Sequence, residues 1–129
     1  MYSTKSIYLI LVLVTLGVTG EQSKCAKELN VEKNDWVEFK KDPTNPAEKL
    51  LCFFKCEYTR SGALKEDKTL NADKLIQHIE EWRILKATTK SEIKECVQKL
   101  TIPVNTCADV KPYHICVHNA VHKELNETH

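Results

Sequence analysis

Six cysteines, Cys25, Cys52, Cys56, Cys96, Cys107 and Cys116, limit what this chain of 129 residues can fold into more than any other feature. All six follow an N-terminal stretch with the marks of a secretory signal. Lys5 supplies the charged start, Ile7 to Leu16 the apolar run, and Val18-Thr19-Gly20 the small residues before a cut. Cleavage is expected after Gly20, with residues 21–129 forming one domain. An even number of cysteines behind such a signal predicts three disulfides and a secreted, extracellular protein.

Of three glycines, only Gly62 lies beyond position 20. That argues against a glycine-turned β scaffold. It also excludes glycine-rich phosphate loops and a G-x-S-x-G nucleophile elbow. Lys5 is the only charged residue before position 21, so the remainder carries equal numbers of acidic and basic side chains. No basic run appears, and nucleic acid is not an expected partner.

Helical punctuation recurs instead. Asn45-Pro46-Ala47-Glu48 reads as a helix start, with Asn45 as cap, and that helix should run to Arg60 and stop at Gly62. Its residues Leu50, Leu51, Cys52, Phe53, Phe54, Cys56 and Tyr58 leave little polar surface, which predicts a central helix with Lys55 on its wet side. Asn71 should cap a helix carrying Ala72, Leu75, Ile76, Ile79 and Trp82 on one face. Thr89-Lys-Ser-Glu92 reads as a capping box ahead of Ile93, Cys96, Val97 and Leu100. A last helix is placed from about Asp109, with Pro112 in its first turn and Tyr113, Cys116, Val117, Ala120 and Val121 on one side. Cys25–Leu29 and Asn34–Phe39 read as two further short helices. The expectation is an all-α domain of about six short helices.

The pair in Cys52-Phe53-Phe54-Lys55-Cys56 tests the disulfide reading. At i and i+4 of a helix their Cβ atoms are about 5–6 Å apart, wider than the roughly 3.5–4.5 Å a disulfide needs. A metal site needs more ligands nearby, and the nearest other cysteine, Cys25, is 27 positions from Cys52. Redox pairs typically use C-x-x-C at a helix start. Each cysteine is therefore expected to bond elsewhere, although spacing alone does not choose among the 15 pairings six cysteines allow.

The intervals, Cys25-x26-Cys52-x3-Cys56-x39-Cys96-x10-Cys107-x8-Cys116, resemble the six-cysteine signature of insect odorant-binding proteins, the pheromone/general-odorant-binding family. The x3 and x8 intervals are its most specific marks, and Gly62 after the third cysteine also fits. The resemblance implies interlocked pairs Cys25–Cys56, Cys52–Cys107 and Cys96–Cys116, and helices around an internal apolar cavity. A small domain with a hollow core gives up packing contacts, which such cross-links offset.

The function so implied is that of a non-enzymatic carrier of small hydrophobic molecules, such as odorants or pheromones, with no cofactor. Phe54, Leu64, Leu70, Leu75, Ile79, Trp82, Val97, Leu100, Val117 and Val121 are the candidates for the ligand wall, each equally able to be plain core. Trp82 stands out, since a large aromatic can close a pocket and offers an N–H donor. Phe53 is assigned to packing. No catalytic arrangement stands out: Glu80 and Glu81 are adjacent and diverge on a helix. A membrane receptor is a further expected partner, and the protein is expected to be a monomer or weak homodimer. The alternative is a secreted scavenger or interaction protein on the same scaffold, acting in saliva, haemolymph or reproductive fluid.

His114, His118 and His122 fall on one helical stripe. The plainest reading is a solvated face. A pH switch is the second, because three imidazoliums on one stripe repel below about pH 6. A metal site is the third. On the second reading the segment from Val117 onward covers the pocket mouth, and His122→Ala flattens the pH dependence of ligand affinity. Asn126-Glu-Thr128 is a glycosylation sequon close to the end of the chain.

Overall fold

The computed structural model describes residues 23–127. The signal segment and its cut after Gly20 lie outside the described residues, as does Thr128 of the sequon. The chain divides into two units, one ending at Glu32 and one from Lys33 onward. The first holds helix α1, Lys24–Glu28, capped by Ser23, whose Oγ accepts from the Ala26 amide at 3.1 Å.

The second unit contains α2 (Lys33–Lys41), α3 (Glu48–Arg60), α4 (Ala72–Ile79), α5 (Ala87–Lys99) and α6 (Lys111–Glu127), with a 3-10 turn, Cys107–Val110, leading into α6. Among the described residues the only extended pairing is one antiparallel bridge, Leu64 with Leu70. The fold is all-α, as the helical punctuation predicts. Within this unit α3 packs on the 3-10 turn, which also meets α6, and α5 packs on both α4 and α6. At the centre Leu75, Ile93, Val97, Val104, Val110 and Tyr113 are each at most 1% exposed. Tyr113 also ties down the connection after α5, its hydroxyl donating to the Ile102 carbonyl at 2.7 Å.

Several local rules hold. Asn71 Oδ1 accepts from the Lys74 amide at 3.0 Å and caps α4. Gly62 ends α3 in the left-handed region, φ 83°, where a Cβ would be strained. Asp109 Oδ2 accepts from the amides of Asn105 and Thr106 at 2.9 and 2.8 Å, fixing the turn before α6 and leaving Pro112 in its first turn.

Two expected caps are corrected. Ala47, whose methyl group cannot accept a hydrogen bond, stands in the cap position of α3. Asn45 instead accepts from Lys111 Nζ at 2.7 Å. Thr89 is not a cap residue, because α5 begins at Ala87 with Lys86 in the cap position. The Thr89 hydroxyl donates instead to Glu124 Oε1 at 2.6 Å. In both places a partner distant in sequence takes the side chain that a local rule assigns to the backbone. Helix α4 also stops at Ile79, so Trp82 falls in the turn after it rather than on its face.

Disulfides join Cys52 to Cys107 and Cys96 to Cys116. Cys25 and Cys56 are disulfide-bonded as well, and no cysteine is free. Cys52 and Cys56 therefore serve different cross-links, as their helical spacing requires.

Candidate functional site

Helices α2, α3, α4 and α6 surround a cavity of about 430 Å³. Trp36 comes from α2, and Phe53, Phe54, Glu57 and Tyr58 from α3. His78 and Ile79 come from the end of α4, Trp82 and Arg83 from the turn after it, and His114, Val117 and Val121 from α6. Because α3 presents aromatics at adjacent positions, both Phe53 and Phe54 reach the cavity, so Phe53 does not serve packing alone. Trp36 meets Phe53 edge-on at 5.4 Å, and Phe54 stacks on the His114 ring at 4.8 Å. Such pairs hold large rings in fixed orientations, which gives the cavity a shape before any ligand enters.

Of the residues predicted for the wall, Phe54, Ile79, Trp82, Val117 and Val121 border this cavity. Trp82 is 75% exposed, which puts it at the rim. Leu75 is sealed in the core, and Leu64 packs against that core from outside. Leu70, Val97 and Leu100 border a different cleft, larger at about 630 Å³ but edged by Lys65, Asp67, Thr69, Asn71, Asp73 and Gln98. Its size does not make it the apolar site, since polar and charged side chains surround it and water competes there for any apolar guest.

The wall also contains residues that were not among those expected to line it. Tyr58 is buried, and burial pushes its phenol well above its usual range, so it stays neutral. Glu57 is only 3% exposed. Its Oε1 accepts from Arg60 Nη2 at 2.6 Å and lies 3.7 Å from His78 Nε2. Arg83 donates through Nη2 to Glu124 Oε2 at 3.1 Å. A charged residue on a helix ordinarily reads as a solvated face, which hides Glu57 from sequence patterning. The signal available for Trp36 was its place three residues before Phe39, two aromatics on one face of α2.

The three histidines form a ladder along α6. Ring centroids of His114 and His118 are 6.1 Å apart, and those of His118 and His122 5.6 Å. The ladder starts at the cavity wall and ends in solvent: His114 is buried, His118 half-buried and His122 exposed. His114 Nε2 lies 2.7 Å from the Pro43 carbonyl and donates to it. Burial lowers the His114 pKa below its ordinary value, with the Pro43 contact opposing and His118 adding to the shift. Burial also lowers that of His118, helped by His122. Among the described residues no group of three or more His, Cys, Asp or Glu side chains is placed to hold a metal ion. Helix α6 continues through Glu127, so residues 117–127 form wall and helix rather than a loose cover.

The cavity, the helices and the cysteine framework accord with one family. The model of the PBP/GOBP family matches residues 18–120. Comparison with curated proteins found no match, and neither did comparison with solved structures. With most of its length covered by that model, all six cysteines in disulfides and an all-helical fold, the chain belongs to the PBP/GOBP family.

Proposed function

We propose that the protein is a secreted, non-enzymatic carrier that holds one small hydrophobic molecule in the cavity between α2, α3, α4 and α6. The observation that carries this reading is an aromatic and aliphatic cavity of about 430 Å³ in a chain of only 129 residues. That volume lies in the usual range for small-molecule sites. Binding would be driven by moving apolar ligand surface out of water, at about 25 cal/mol per Å² before the cost of immobilising the ligand. The disulfides and the signal-like segment before Gly20 support secretion.

Both tryptophans of the chain, Trp36 and Trp82, border the cavity, so intrinsic fluorescence reports occupancy directly. Titration with a long-chain lipophile is expected to change the emission. Val117→Phe, which adds bulk to the wall, is expected to weaken binding about tenfold with helicity unchanged. Unchanged affinity in that variant would place the ligand elsewhere.

Ligand retention is also proposed to depend on pH, through His114 rather than His122. His114 stacks on a wall aromatic, whereas His122 stands in solvent. The folded state lowers the His114 pKa from its ordinary value of 6.5, so the native protein binds fewer protons than the unfolded chain. Its contribution to stability is full above that value and is lost as pH falls through the lower folded pKa. Thermal melting is therefore expected to drop between about pH 7 and pH 5. In His114→Gln, which keeps a donor for Pro43, the drop should be clearly shallower. Equal slopes in the two proteins would remove His114 as the sensor.

A further inference from the structure

Tyr58 and Tyr113 are both buried, at 6% and 0% exposure, but their hydroxyls fare differently. The Tyr113 hydroxyl donates to the Ile102 carbonyl at 2.7 Å. The Tyr58 hydroxyl meets no hydrogen-bond partner among the described residues. A buried phenol without a partner is unusual, because it forfeits hydration without recompense. It is not sealed in, however. Other unpartnered side-chain atoms, such as Glu57 Oε2, keep essentially no accessible surface, whereas the Tyr58 oxygen keeps some. Tyr58 is a wall residue of the apolar cavity, so that surface opens onto the cavity. Resting on the carrier reading, we propose that the Tyr58 hydroxyl is the polar anchor of the cavity, donating to the carbonyl oxygen of a neutral aldehyde, ketone or ester whose hydrocarbon part lies against Trp36, Phe54 and Val117.

The position of the hydroxyl sets how a guest lies. Phe54 precedes Tyr58 by four residues on α3, so the two rings are neighbours on one face of the helix. The Tyr58 ring also stands edge-on to His78, 6.5 Å away between centroids. A guest held at the hydroxyl therefore has aromatic wall beside it. Its chemistry selects the head group. Burial keeps the phenol protonated, so it has a proton to donate. A carbonyl oxygen only accepts, and it brings no donor that the aromatic wall must satisfy. An alcohol accepts but adds a donor of its own. An ammonium cannot accept at all, and a carboxylate would surrender its hydration for a single neutral donor. Any guest expels the water that reaches the hydroxyl. A hydrocarbon then leaves the donor unmet, whereas a carbonyl replaces the lost bond. Sites of this kind discriminate strongly against ligands that leave a polar atom unpaired.

The test uses the full disulfide-bonded protein and five straight-chain ligands of one length: the methyl ketone, the matching secondary alcohol, the hydrocarbon, the primary amine and the carboxylic acid. Tryptophan fluorescence is the readout. The ketone is expected to bind about tenfold more tightly than the hydrocarbon, with the alcohol between them. Tyr58→Phe removes one oxygen and keeps the ring. In that variant the ketone's advantage should shrink to about twofold or less, while hydrocarbon affinity stays within about twofold of the parent. The infrared band of an isotope-labelled ketone carbonyl should also lie at lower frequency in the parent than in Tyr58→Phe, which altered packing alone does not produce. If the variant fails to fold, the band in the parent is compared with that of the same ketone in hexane, and equal positions would overturn the anchor. Ketone and hydrocarbon binding equally well to the parent would overturn it too, as would a ketone preference undiminished in Tyr58→Phe, and both leave the carrier intact. Tighter binding of the alcohol, the amine or the acid than of the ketone would overturn the carbonyl class. If none of the ligands bound, the carrier reading would fall, and the anchor with it.

Discussion

Replacing Cys52 and Cys107 together by alanine is expected to cost about 4 kcal/mol of folding stability. The bond closes a sequence separation of 55 residues, and loop-closure entropy of the unfolded chain sets that scale. The pair Cys96–Cys116, separated by 20, is expected to cost about 3 kcal/mol. Either loss is large against the roughly 5–15 kcal/mol by which a domain is ordinarily stable. In urea unfolding the Cys52/Cys107 variant should lose about 2 M from its midpoint, and the Cys96/Cys116 variant less. The functional consequence follows from where the bond sits. It ties α3 to the 3-10 turn that opens α6, and these two helices supply Phe53, Phe54, Glu57 and Tyr58 on one side of the cavity and His114, Val117 and Val121 on the other. Without it the two walls are joined by packing alone, and ligand affinity should fall with stability. A Cys52/Cys107 variant with the parent's midpoint would show that packing suffices to hold the walls.

One constraint on the cross-links was legible because it rests on chemistry confined to the chain, whereas the pairings themselves came only from the family resemblance. Cysteines at i and i+4 of a helix cannot bond each other without strain, wherever the helix lies, and Cys52 and Cys56 obey that constraint. Caps were legible only where the partner was local. Asn71 holds an amide three residues on, as the rule requires. Asn45 and Thr89 carry the same local signals, but Lys111 and Glu124, 66 and 35 positions away, take them. Periodicity finds the buried face of a helix without saying whether the far side of that face is another side chain or empty space. Leu75 and Ile79 lie on one stripe of α4, yet Leu75 is sealed in the core and Ile79 borders the cavity. Glu57 was hidden for the opposite reason: its burial follows from what surrounds it in space, and nothing in the sequence sets it apart from the other charged residues of α3, such as Lys55.

The second large effect is expected at Glu124. The residue is only 4% exposed, and its carboxylate accepts three hydrogen bonds, from the Lys86 amide at 2.9 Å, the Thr89 hydroxyl at 2.6 Å and Arg83 Nη2 at 3.1 Å. Lys86 and Thr89 stand at the start of α5, where backbone amides lack partners within the helix. Helix α6 thus supplies, through Glu124, the cap that the start of α5 lacks in its own sequence, and an anion there also favours the helix dipole. These bonds, led by that from Thr89, hold the Glu124 carboxyl below its usual range. The contribution is therefore complete above the ordinary carboxylate value and is lost as pH falls through the lower folded one. Glu124→Ala strands three donors at once and is expected to lower the melting temperature by about 10 °C at neutral pH. Glu124→Gln, which keeps the shape but turns a donor group toward donors, should lose about half as much. Thr89→Val removes one of the three bonds, and combined with Glu124→Ala it should add little further loss, because the bond is already gone. Arg83, released from its anchor, sits in the cavity wall, so the alanine variant should also loosen ligand binding, an effect that stability alone does not explain if it persists well below the melting temperature. A melting temperature within about 2 °C of the parent would show that α5 starts without this carboxylate.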